Sequence, residues 1–246
     1  MSLLGVIGGS GIDLASQFDT VEAYEISTMF GKPSAPVQKM SVSGLDFCFL
    51  ARHGNPHRIA PHQVNYRANL QALYSRGVRI VIAINAVGAI SESFSPGQLI
   101  VPDQIIDYTW GREHTVDTGE TASLMHIEFT EPFDERVRHE LIEVAQIQGI
   151  DIINGSVIGV TQGPRLETAA EIRKLSLDGC NLVGMTTMPE AAIARELKLR
   201  YASICIVSNL AAGISEEKLS IDQIKNNVAA RSSCIGSIIE KYLHRI

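Results

Sequence analysis

Residues 5–12 form a glycine-rich turn that is suited to binding an anion. Glycines occupy positions 5, 8, 9 and 11, and Ser10 stands among them. Glycine lets backbone N–H groups approach an anion closely, and the Ser10 hydroxyl adds a further donor. The glycines do not follow the G-x-G-x-x-G order of a dinucleotide-binding turn. The segment therefore favours a phosphate-binding turn, with a tight strand-to-helix turn as the structural alternative.

Basic residues stand in residues 50–57, just past a predicted strand. The planar guanidinium of Arg52 suits two phosphate oxygens, and His53 offers a second donor. A solvated loop could hold the same residues, but a second anion-binding segment in the same chain favours phosphate. His57 and His62 follow in a stretch that two prolines keep irregular, and their roles stay open between loop structure and site.

Four more segments at predicted strand ends carry small or polar residues, and ligands of α/β sheets bind at such ends. Residues 83–90 supply small side chains and backbone N–H groups against which a ligand can lie flat. Residues 162–168 include Arg165, whose role stays open, and residues 183–190 end on Glu190 in a first helical turn. Glu190 there could simply balance the helix dipole. Asn209 ends a further strand and could equally be a cap or turn residue.

The elements that would position these segments alternate along the chain. Predicted strands cover residues 3–7, 47–51, 79–84, 99–106, 157–161 and 202–207, and predicted helices cover residues 65–74, 134–147, 169–177, 189–197 and 220–243. This order predicts a single α/β domain over residues 1–246, with a mixed, mostly parallel central sheet flanked by helices. Ser220 is the expected N-cap of the last helix. Residues 107–132 are polar and irregular, which predicts a long loop serving a site or a subunit contact.

Composition excludes several classes of protein. The chain has 246 residues, of which 45% are hydrophobic and 20% charged, and its net charge is −6 with dispersed Lys and Arg, so no nucleic-acid surface is expected. No apolar run approaches the roughly 20 residues of a membrane helix, and the N-terminus lacks the pattern of a signal peptide. The four cysteines lack metal-ligand spacing, which argues against a zinc site and thiol catalysis. Reduced thiols fit a cytoplasmic protein.

Taken together and in this order, the motifs resemble the purine nucleoside phosphorylase and methylthioadenosine phosphorylase family, from Gly8 to the final helix. The resemblance implies a homotrimer that uses inorganic phosphate as co-substrate and needs no metal or organic cofactor. It implies a phosphate site formed by Gly8, Ser10, Arg52, His53, Asn85, Ala86 and Thr186. It implies a nucleoside site formed by Ala86, Val87, Gly88, Leu166, Glu167, Met185, Asn209, Ala211 and Ile221, with His126 reaching a neighbouring subunit's site. The catalytic set would be Asn209, Glu167 and His53.

Departures from the aminopurine members of that family indicate the base. This chain has Ser208-Asn209-Leu210-Ala211 where methylthioadenosine phosphorylases have Thr-Asp-Tyr-Asp, and Leu166-Glu167 where they have Phe-Ser. A 6-oxopurine presents N1–H as a donor and O6 as an acceptor. An ionised Glu167 only accepts hydrogen bonds, and the Asn209 amide can donate to O6 and reach N7. The pair therefore favours hypoxanthine over adenine, by about 10⁴ or more if the mismatch is buried.

The sugar end indicates a thioether. Trimeric inosine and guanosine phosphorylases place a histidine near the 5′-hydroxyl, whereas Ile221 takes that place here, unless it is simply a core residue. An apolar side chain would leave a hydroxyl unpaired but accommodates a methylthio group. The chain is most similar to the members that cleave S-methyl-5′-thioinosine to hypoxanthine and 5-methylthioribose 1-phosphate. Phosphorolysis of inosine, guanosine or methylthioadenosine, a nucleoside-binding regulator with an inactive site, and a nucleotide-dependent oxidoreductase are the alternatives.

Overall fold

The computed structural model describes residues 3–12, 14, 17–119, 124–215 and 220–246, and its centre is one 11-stranded sheet. The strands are β1 (Leu3–Gly8), β2 (Asp19–Tyr24), β3 (Val37–Val42), β4 (Leu45–Ala51), β5 (Val78–Ala89), β6 (Leu99–Val101), β7 (Gln104–Asp107), β8 (Ile152–Asn154), β9 (Val157–Val160), β10 (Leu182–Gly184) and β11 (Arg200–Leu210). The helices are α1 (Tyr66–Ser75), α2 (Glu135–Ile147), α3 (Ala169–Leu177), α4 (Thr187–Glu196), α5 (Ile221–Ala229) and α6 (Ser232–Leu243). The α/β fold with a mixed, mostly parallel sheet is confirmed.

The sheet divides around β5, its longest strand. Along one edge β5 pairs with β11 as far as Ala89. Along the other edge it pairs first with β1, as far as Ala83, and then with β10, through Gly88 and Ala89. Residues 84–87 therefore have a neighbouring strand on one side only. Backbone groups along this unpaired stretch can serve a ligand, as at the switch points of other α/β sheets.

Apolar cores cover both faces of the sheet. Side chains alternate across a strand, so Ile80, Ile82 and Ile84 of β5 pack on the face covered by α2 and α6. Val81 and Ala83 pack on the opposite face, with α1 and α4. Because both faces of β5 are covered, the strand is apolar almost throughout. The carboxyl end of β5 is thereby held in a fixed position. A ligand site at that end requires such a position.

Two predicted elements are wrong in detail. The predicted strand at residues 99–106 is two strands, because Pro102 separates β6 from β7 and the two pair with different partners. The predicted helix at residues 220–243 is two helices that end and begin on either side of Ala230 and Arg231. Packing causes this break, since α5 lies against β11 whereas α6 lies against α2. Ser220 is the N-cap, as predicted, and accepts a hydrogen bond from the Gln223 N–H.

Strands β2, β3, β8 and β10 were not expected, and two of them lie at the margin of the sheet. The predicted loop at residues 107–132 is irregular wherever it is described, after β7 ends at Asp107. No helix in the described ranges is both long enough and apolar enough to cross a bilayer.

Candidate active site

A cavity of about 750 Å³ opens at the unpaired stretch of β5. It brings together most of the side chains that the sequence predicted for phosphate and nucleoside. Those that line it are Ser10, Arg52, His53, Ala86, Val87, Gly88, Leu166, Glu167, Met185, Thr186, Asn209 and Ala211. Segments from both ends of the sequence, from Gly9 to Ala229, thus meet at this cavity.

The glycine-rich turn approaches β5 closely. A Cβ atom on Gly9 would lie 2.5 Å from the carbonyl oxygen of Ile84, so only glycine fits there. Gly9, Ser10 and Gly11 line the cavity, but Gly8 does not. Gly8 ends β1 opposite Ala51, and the space that its side chain would need is filled by the Phe49 ring. The contribution of Gly8 to the phosphate site stays a prediction, and its neighbour Gly9 lines the cavity directly.

Arg52 is fully buried, and its guanidinium fork is already occupied. Its Nε and Nη2 donate to the two carboxylate oxygens of Glu190 at 2.7 and 2.9 Å, and Nη1 donates to the Ile84 carbonyl at 3.1 Å. Arg52 lines the cavity while Glu190 already holds two of its nitrogens, and its binding of phosphate stays a prediction. Nη1 remains beside the glycine turn, 2.9 Å from where a Cβ of Gly9 would stand.

Glu190 is the residue that sequence reasoning undervalued. It has no exposed surface, and it accepts a third hydrogen bond from the Tyr201 hydroxyl at 2.9 Å. Burial, reinforced by the Glu190 charge, raises the pKa of Tyr201 well above its ordinary value. A dipole charge on an exposed helix end would show none of these contacts. The only sequence signal was an acidic residue within an otherwise apolar helical face.

His53 is held in one protonation state by its surroundings. Its Nδ1 lies 2.7 Å from the Ile59 carbonyl oxygen, which can only accept, so Nδ1 carries the proton. The ring stacks on His57 with centroids 4.5 Å apart. Burial, and then the nearby Arg52 charge, lower the pKa of His53 to about 4. The lowered pKa favours a neutral ring at pH 7. His53 lines the cavity, and its role as a second donor to phosphate stays a prediction.

Asn85 acts behind the cavity wall rather than in it. It is buried and does not line the cavity. Its Nδ2 donates to Ser203 Oγ at 2.7 Å, and its Oδ1 accepts from Thr186 Oγ1 at 3.0 Å. The structure shows Asn85 bonded to Ser203 and Thr186, and its contact with phosphate stays a prediction. Asn85 orients Thr186, which lines the cavity at the N-terminus of α4, where backbone N–H groups favour an anion.

The two predicted base-binding side chains also line the cavity, and the part of it that they form is called the base end. Glu167 Oε1 accepts a hydrogen bond from Thr161 Oγ1 at 2.6 Å. Asn209 is oriented by two bonds, since its Oδ1 accepts from Ser208 Oγ and its Nδ2 donates to the Leu210 carbonyl, both at 2.7 Å. One Nδ2 hydrogen is left for a ligand. A bulge at Ser208 places Asn209 opposite Gly88, which also lines the cavity.

Arg112 ties the walls of this site together. Its buried guanidinium donates to the backbone carbonyls of Met185 at 2.8 Å and Met188 at 2.6 Å. It also donates to the carbonyls of Thr161 at 3.1 Å and Gln162 at 2.8 Å. The residue therefore joins Met185, a predicted nucleoside contact, to the segment that supports Glu167. Nothing in its sequence surroundings distinguished it from other loop arginines.

The sugar end is partly described. The side chain of Ile221 lies outside the described part of the structure, but Ile224, one turn later on α5, lines the cavity. His57 also lines it, whereas His62 lies in a short 3₁₀ helix at Pro61–Gln63. His126 is exposed and does not line this chain's cavity.

A second, smaller cavity of about 310 Å³ adjoins the base end, and Glu167 lines both cavities. Arg165 lines it and forms a two-point ion pair with Glu171, at 2.8 and 2.7 Å. Arg165 is thereby assigned to the support of this loop. Among the described residues, no cluster of three or more His, Cys, Asp or Glu side chains could hold a metal ion.

Comparison with known proteins gives matches over nearly the whole chain. The family model of the phosphorylase superfamily matches residues 4–244. A probable S-methyl-5′-thioinosine phosphorylase of Xylella fastidiosa is 46% identical, over 97% of this chain and 96% of the relative. The 6-oxopurine nucleoside phosphorylase of Pyrococcus furiosus is 39% identical, over 97% of this chain and 91% of the relative.

A solved structure shares the fold closely. Methylthioadenosine phosphorylase from Schistosoma mansoni, in complex with adenine, superposes with a TM-score of 0.94 and 32% identity, covering 99% of this chain and 91% of that one. The matched region includes every element that lines the cavity.

Proposed function

The chain belongs to the phosphorylase superfamily and is a nucleoside phosphorylase, and we propose that its nucleoside is S-methyl-5′-thioinosine. Inorganic phosphate would cleave it to hypoxanthine and 5-methylthioribose 1-phosphate. The sequence resemblance to the nucleoside phosphorylases is thus confirmed at the level of the family. The observation that carries the choice of base is the placement of Glu167 and Asn209 in one cavity.

The chemistry of these two side chains favours a 6-oxopurine. Thr161 occupies one oxygen of Glu167, which leaves further acceptor sites for N1–H. The bonds of Asn209 to Ser208 and Leu210 fix its amide with one N–H free to meet O6 or N7. Adenine would set the Glu167 carboxylate against the N1 lone pair, a mismatch that buried sites reject strongly. The names of the bacterial and archaeal relatives agree with this choice.

One apolar side chain of α5, Ile224, supports a thioether at the 5′ position, beside Lys225 and Asn226 of the same helix, which also line the cavity. Ile224 lines the cavity and offers no hydrogen-bond partner to a hydroxyl. A buried hydroxyl without a partner costs about 1–3 kcal/mol, whereas a methylthio group gains contact area. Ile221, whose side chain is not described, stays a predicted contact on the same helix.

The proposed mechanism is positioning plus electrostatic stabilisation. Phosphate would lie against Ser10, the backbone of Ala86 and Thr186, below C1′ of the sugar. The glycosidic bond stretches toward an oxocarbenium-like state, and the purine departs with negative charge. Asn209 stabilises that charge at N7 and O6, while Glu167 holds N1–H. No residue forms a covalent bond to the substrate.

We further propose a cytoplasmic homotrimer that needs no metal or organic cofactor. Exposed apolar side chains stand on the loop at 107–132, where Trp110, Leu124 and Met125 have 71%, 68% and 50% of their surface exposed. Such residues suit a contact between subunits. His126, next to Met125, would then reach a neighbouring subunit's cavity. Light scattering tests the trimer, and activity in excess chelator tests the absence of a metal.

The experiment is a comparison of nucleosides with and without phosphate. The enzyme is incubated with methylthioinosine, methylthioadenosine, inosine and guanosine, and base release is followed by chromatography. Strictly phosphate-dependent release of hypoxanthine, fastest from methylthioinosine, is expected. Preference for methylthioadenosine would overturn the role of Asn209. Preference for inosine or guanosine would overturn the sugar assignment and keep the base assignment.

A further inference from the structure

Arg112 is a buried guanidinium whose hydrogen-bond acceptors, in the described part of the chain, are all uncharged. Apart from the four backbone carbonyls already described, its Nε donates to Gln162 Oε1 and its Nη1 to the Tyr66 hydroxyl oxygen, both at 3.3 Å. Burying a cation without a carboxylate partner is costly, so stability alone does not favour an arginine here. Its planar set of N–H donors, however, can fix several carbonyls relative to one another.

The carbonyls that Arg112 holds belong to two walls of the cavity. One wall is the segment at Thr161 and Gln162, and Thr161 in turn holds Glu167 through a hydrogen bond of 2.6 Å. The other wall begins at Met185, which lines the cavity, whereas Arg112 itself does not line it. The guanidinium therefore sets the spacing between the predicted nucleoside contacts Glu167 and Met185 from outside the cavity.

The walls approach each other closely at Gly163. A Cβ atom there would lie 2.6 Å from Met185 Sδ and 3.3 Å from Pro61 Cγ, and the backbone φ of +60° also favours glycine. Pro61 lines the cavity, and its carbonyl accepts a hydrogen bond from the Tyr66 hydroxyl at 2.8 Å. Because Tyr66 also accepts a hydrogen bond from Arg112, a third wall is joined to the same guanidinium.

The loop that carries Arg112 is also fastened to the far end of α4. Glu196, the last residue of that helix, accepts hydrogen bonds from the Val116 N–H at 2.6 Å and from Thr115 Oγ1 at 3.1 Å. Arg112 binds the residues at the start of the helix, so the loop is anchored at both ends of α4. The position of the guanidinium is therefore fixed before a nucleoside binds.

The supports of the phosphate end of the cavity are separate from Arg112. Thr186 is oriented by Asn85, and the Arg52 guanidinium is held by Glu190. None of these hydrogen bonds involves Arg112. A displacement of Arg112 should therefore affect the nucleoside far more than phosphate.

We propose that Arg112 is a positioning residue for the nucleoside, which fixes the distance between Glu167 and Met185 without touching the substrate. The inference rests on the proposed function, because it takes these two side chains as nucleoside contacts. Hydrogen bonds from a charged donor are roughly twice as strong as neutral ones, which explains a cation among neutral acceptors. Lysine would keep the charge, but its compact ammonium lacks the planar fork that bonds to both walls.

Steady-state kinetics of Arg112→Lys, with nucleoside and phosphate varied in turn, tests the proposal. The nucleoside used is the one that the protein cleaves fastest in the comparison above. A wrong choice of base or sugar then overturns the proposed function and leaves this test intact. The KM for the nucleoside should rise about tenfold or more, the size of one lost hydrogen bond to a charged group. The KM for phosphate should stay close to its wild-type value.

The matched control is Arg138→Lys. Arg138 is also buried, with 4% of its surface exposed, and it donates to the Pro102 carbonyl and to Asn154 Oδ1, each at 2.7 Å. It lies on α2 and does not line the cavity. Both lysine variants should unfold at lower denaturant concentration than the wild-type protein, but only Arg112→Lys should raise the KM for the nucleoside.

An unchanged KM for the nucleoside in Arg112→Lys would overturn the proposal. An equal rise in the KM for phosphate, or the same rise in Arg138→Lys, would overturn it too. If Arg112→Lys does not fold, Tyr66→Phe is the second variant, because it removes only the hydroxyl that joins Arg112 to Pro61. In Tyr66→Phe the KM for the nucleoside should rise about threefold while the KM for phosphate stays the same, and the absence of that rise would overturn the proposal.

Discussion

The two ends of the cavity are built in different ways. At the phosphate end, Arg52 and Glu190 form an ion pair without exposed surface, and Asn85 links Ser203 to Thr186 within the core. At the base end, Glu167 and Asn209 stand on partly exposed segments and are each oriented by one hydroxyl neighbour. The phosphate end is built from buried residues of the core, whereas the base end is built from partly exposed residues.

This difference indicates which site residues the fold requires and which can be substituted. The Arg52 charge is balanced by Glu190 and His53 is neutral, so dipoles and backbone N–H groups carry much of the attraction for phosphate. Rearranging them would disturb the core. The base end can change with a few side chains, which accords with the different bases named for similar proteins. Anion binding is therefore tied to stability here, and base choice is not.

The largest effect is expected from breaking the buried ion pair. Glu190→Gln leaves the Arg52 guanidinium enclosed without a counter-charge, which should lower the free energy of unfolding by about 3–5 kcal/mol. The matched control is Glu171→Gln at the base end, because Glu171 also binds an arginine at two points but on the surface. Glutamine can preserve the capping box of α3. Denaturant unfolding measures both variants.

A small change in Glu171→Gln is expected, since water screens exposed pairs. If the two variants lost equal stability, the contrast between a core-built end and a surface-built end would not hold.

At the base end, the largest effect should be on rate. Asn209→Ala removes the donor to the departing purine and is expected to lower kcat by about 10²–10³, the size of one preorganised donor. Neither the unfolding free energy nor the KM for phosphate should change much. Steady-state kinetics with each substrate varied in turn measures this. A near-normal kcat would remove Asn209 from the chemistry.

Deleting one supporting hydroxyl at each end sharpens the comparison. Ser203→Ala leaves Nδ2 of Asn85 buried without an acceptor, so stability should fall by about 1–3 kcal/mol and the KM for phosphate should rise. Thr161→Val frees Glu167, and only the KM for the nucleoside should rise, by about 3–10-fold. Equal shifts in both KM values for either variant would show that the two ends are coupled.

The smallest effect near neutral pH should come from His53. Its pKa is lowered in the fold from 6.5 to about 4, so the unfolded chain takes up a proton that the buried ring refuses. The resulting stabilisation is complete above pH 6.5 and is lost as the pH falls toward 4. Unfolding experiments across this window should show a steeper slope in the wild-type protein than in His53→Gln. Identical slopes would mean that the ring is not buried as a neutral group.

Local pattern was sufficient for much of the fold and for part of the site. Glycines after an apolar run predicted the turn at Gly9 and Ser10, and strand ends predicted the positions of Ala86, Thr186 and Asn209. These features depend on neighbours along the chain. The choice of Glu167 and Asn209 as a pair came from the resemblance and from hydrogen-bond chemistry, and the structure brings them into one cavity.

The remaining features depend on contacts between distant residues. Arg52 and Glu190 are 138 positions apart. No local sequence pattern therefore predicts that the Glu190 carboxylate pairs with the Arg52 guanidinium. Arg112 reaches four carbonyls from two segments that are distant from it in sequence. The break between α5 and α6 at Arg231 is set by what each helix packs against, since helix propensity continues through it.

The unpaired stretch of β5 determines which substitutions the anion site can accept during evolution. Ile84 turns its carbonyl toward Arg52, and because backbone groups alternate along a strand, the amide of Ala86 points into the same opening. That amide belongs to the main chain, so every replacement at position 86 except proline retains it. The capacity to bind an anion here therefore depends on a strand position that lacks a neighbouring strand. It does not depend on the identity of the residue at position 86. This backbone donor would remain if the side chains that line the cavity were replaced.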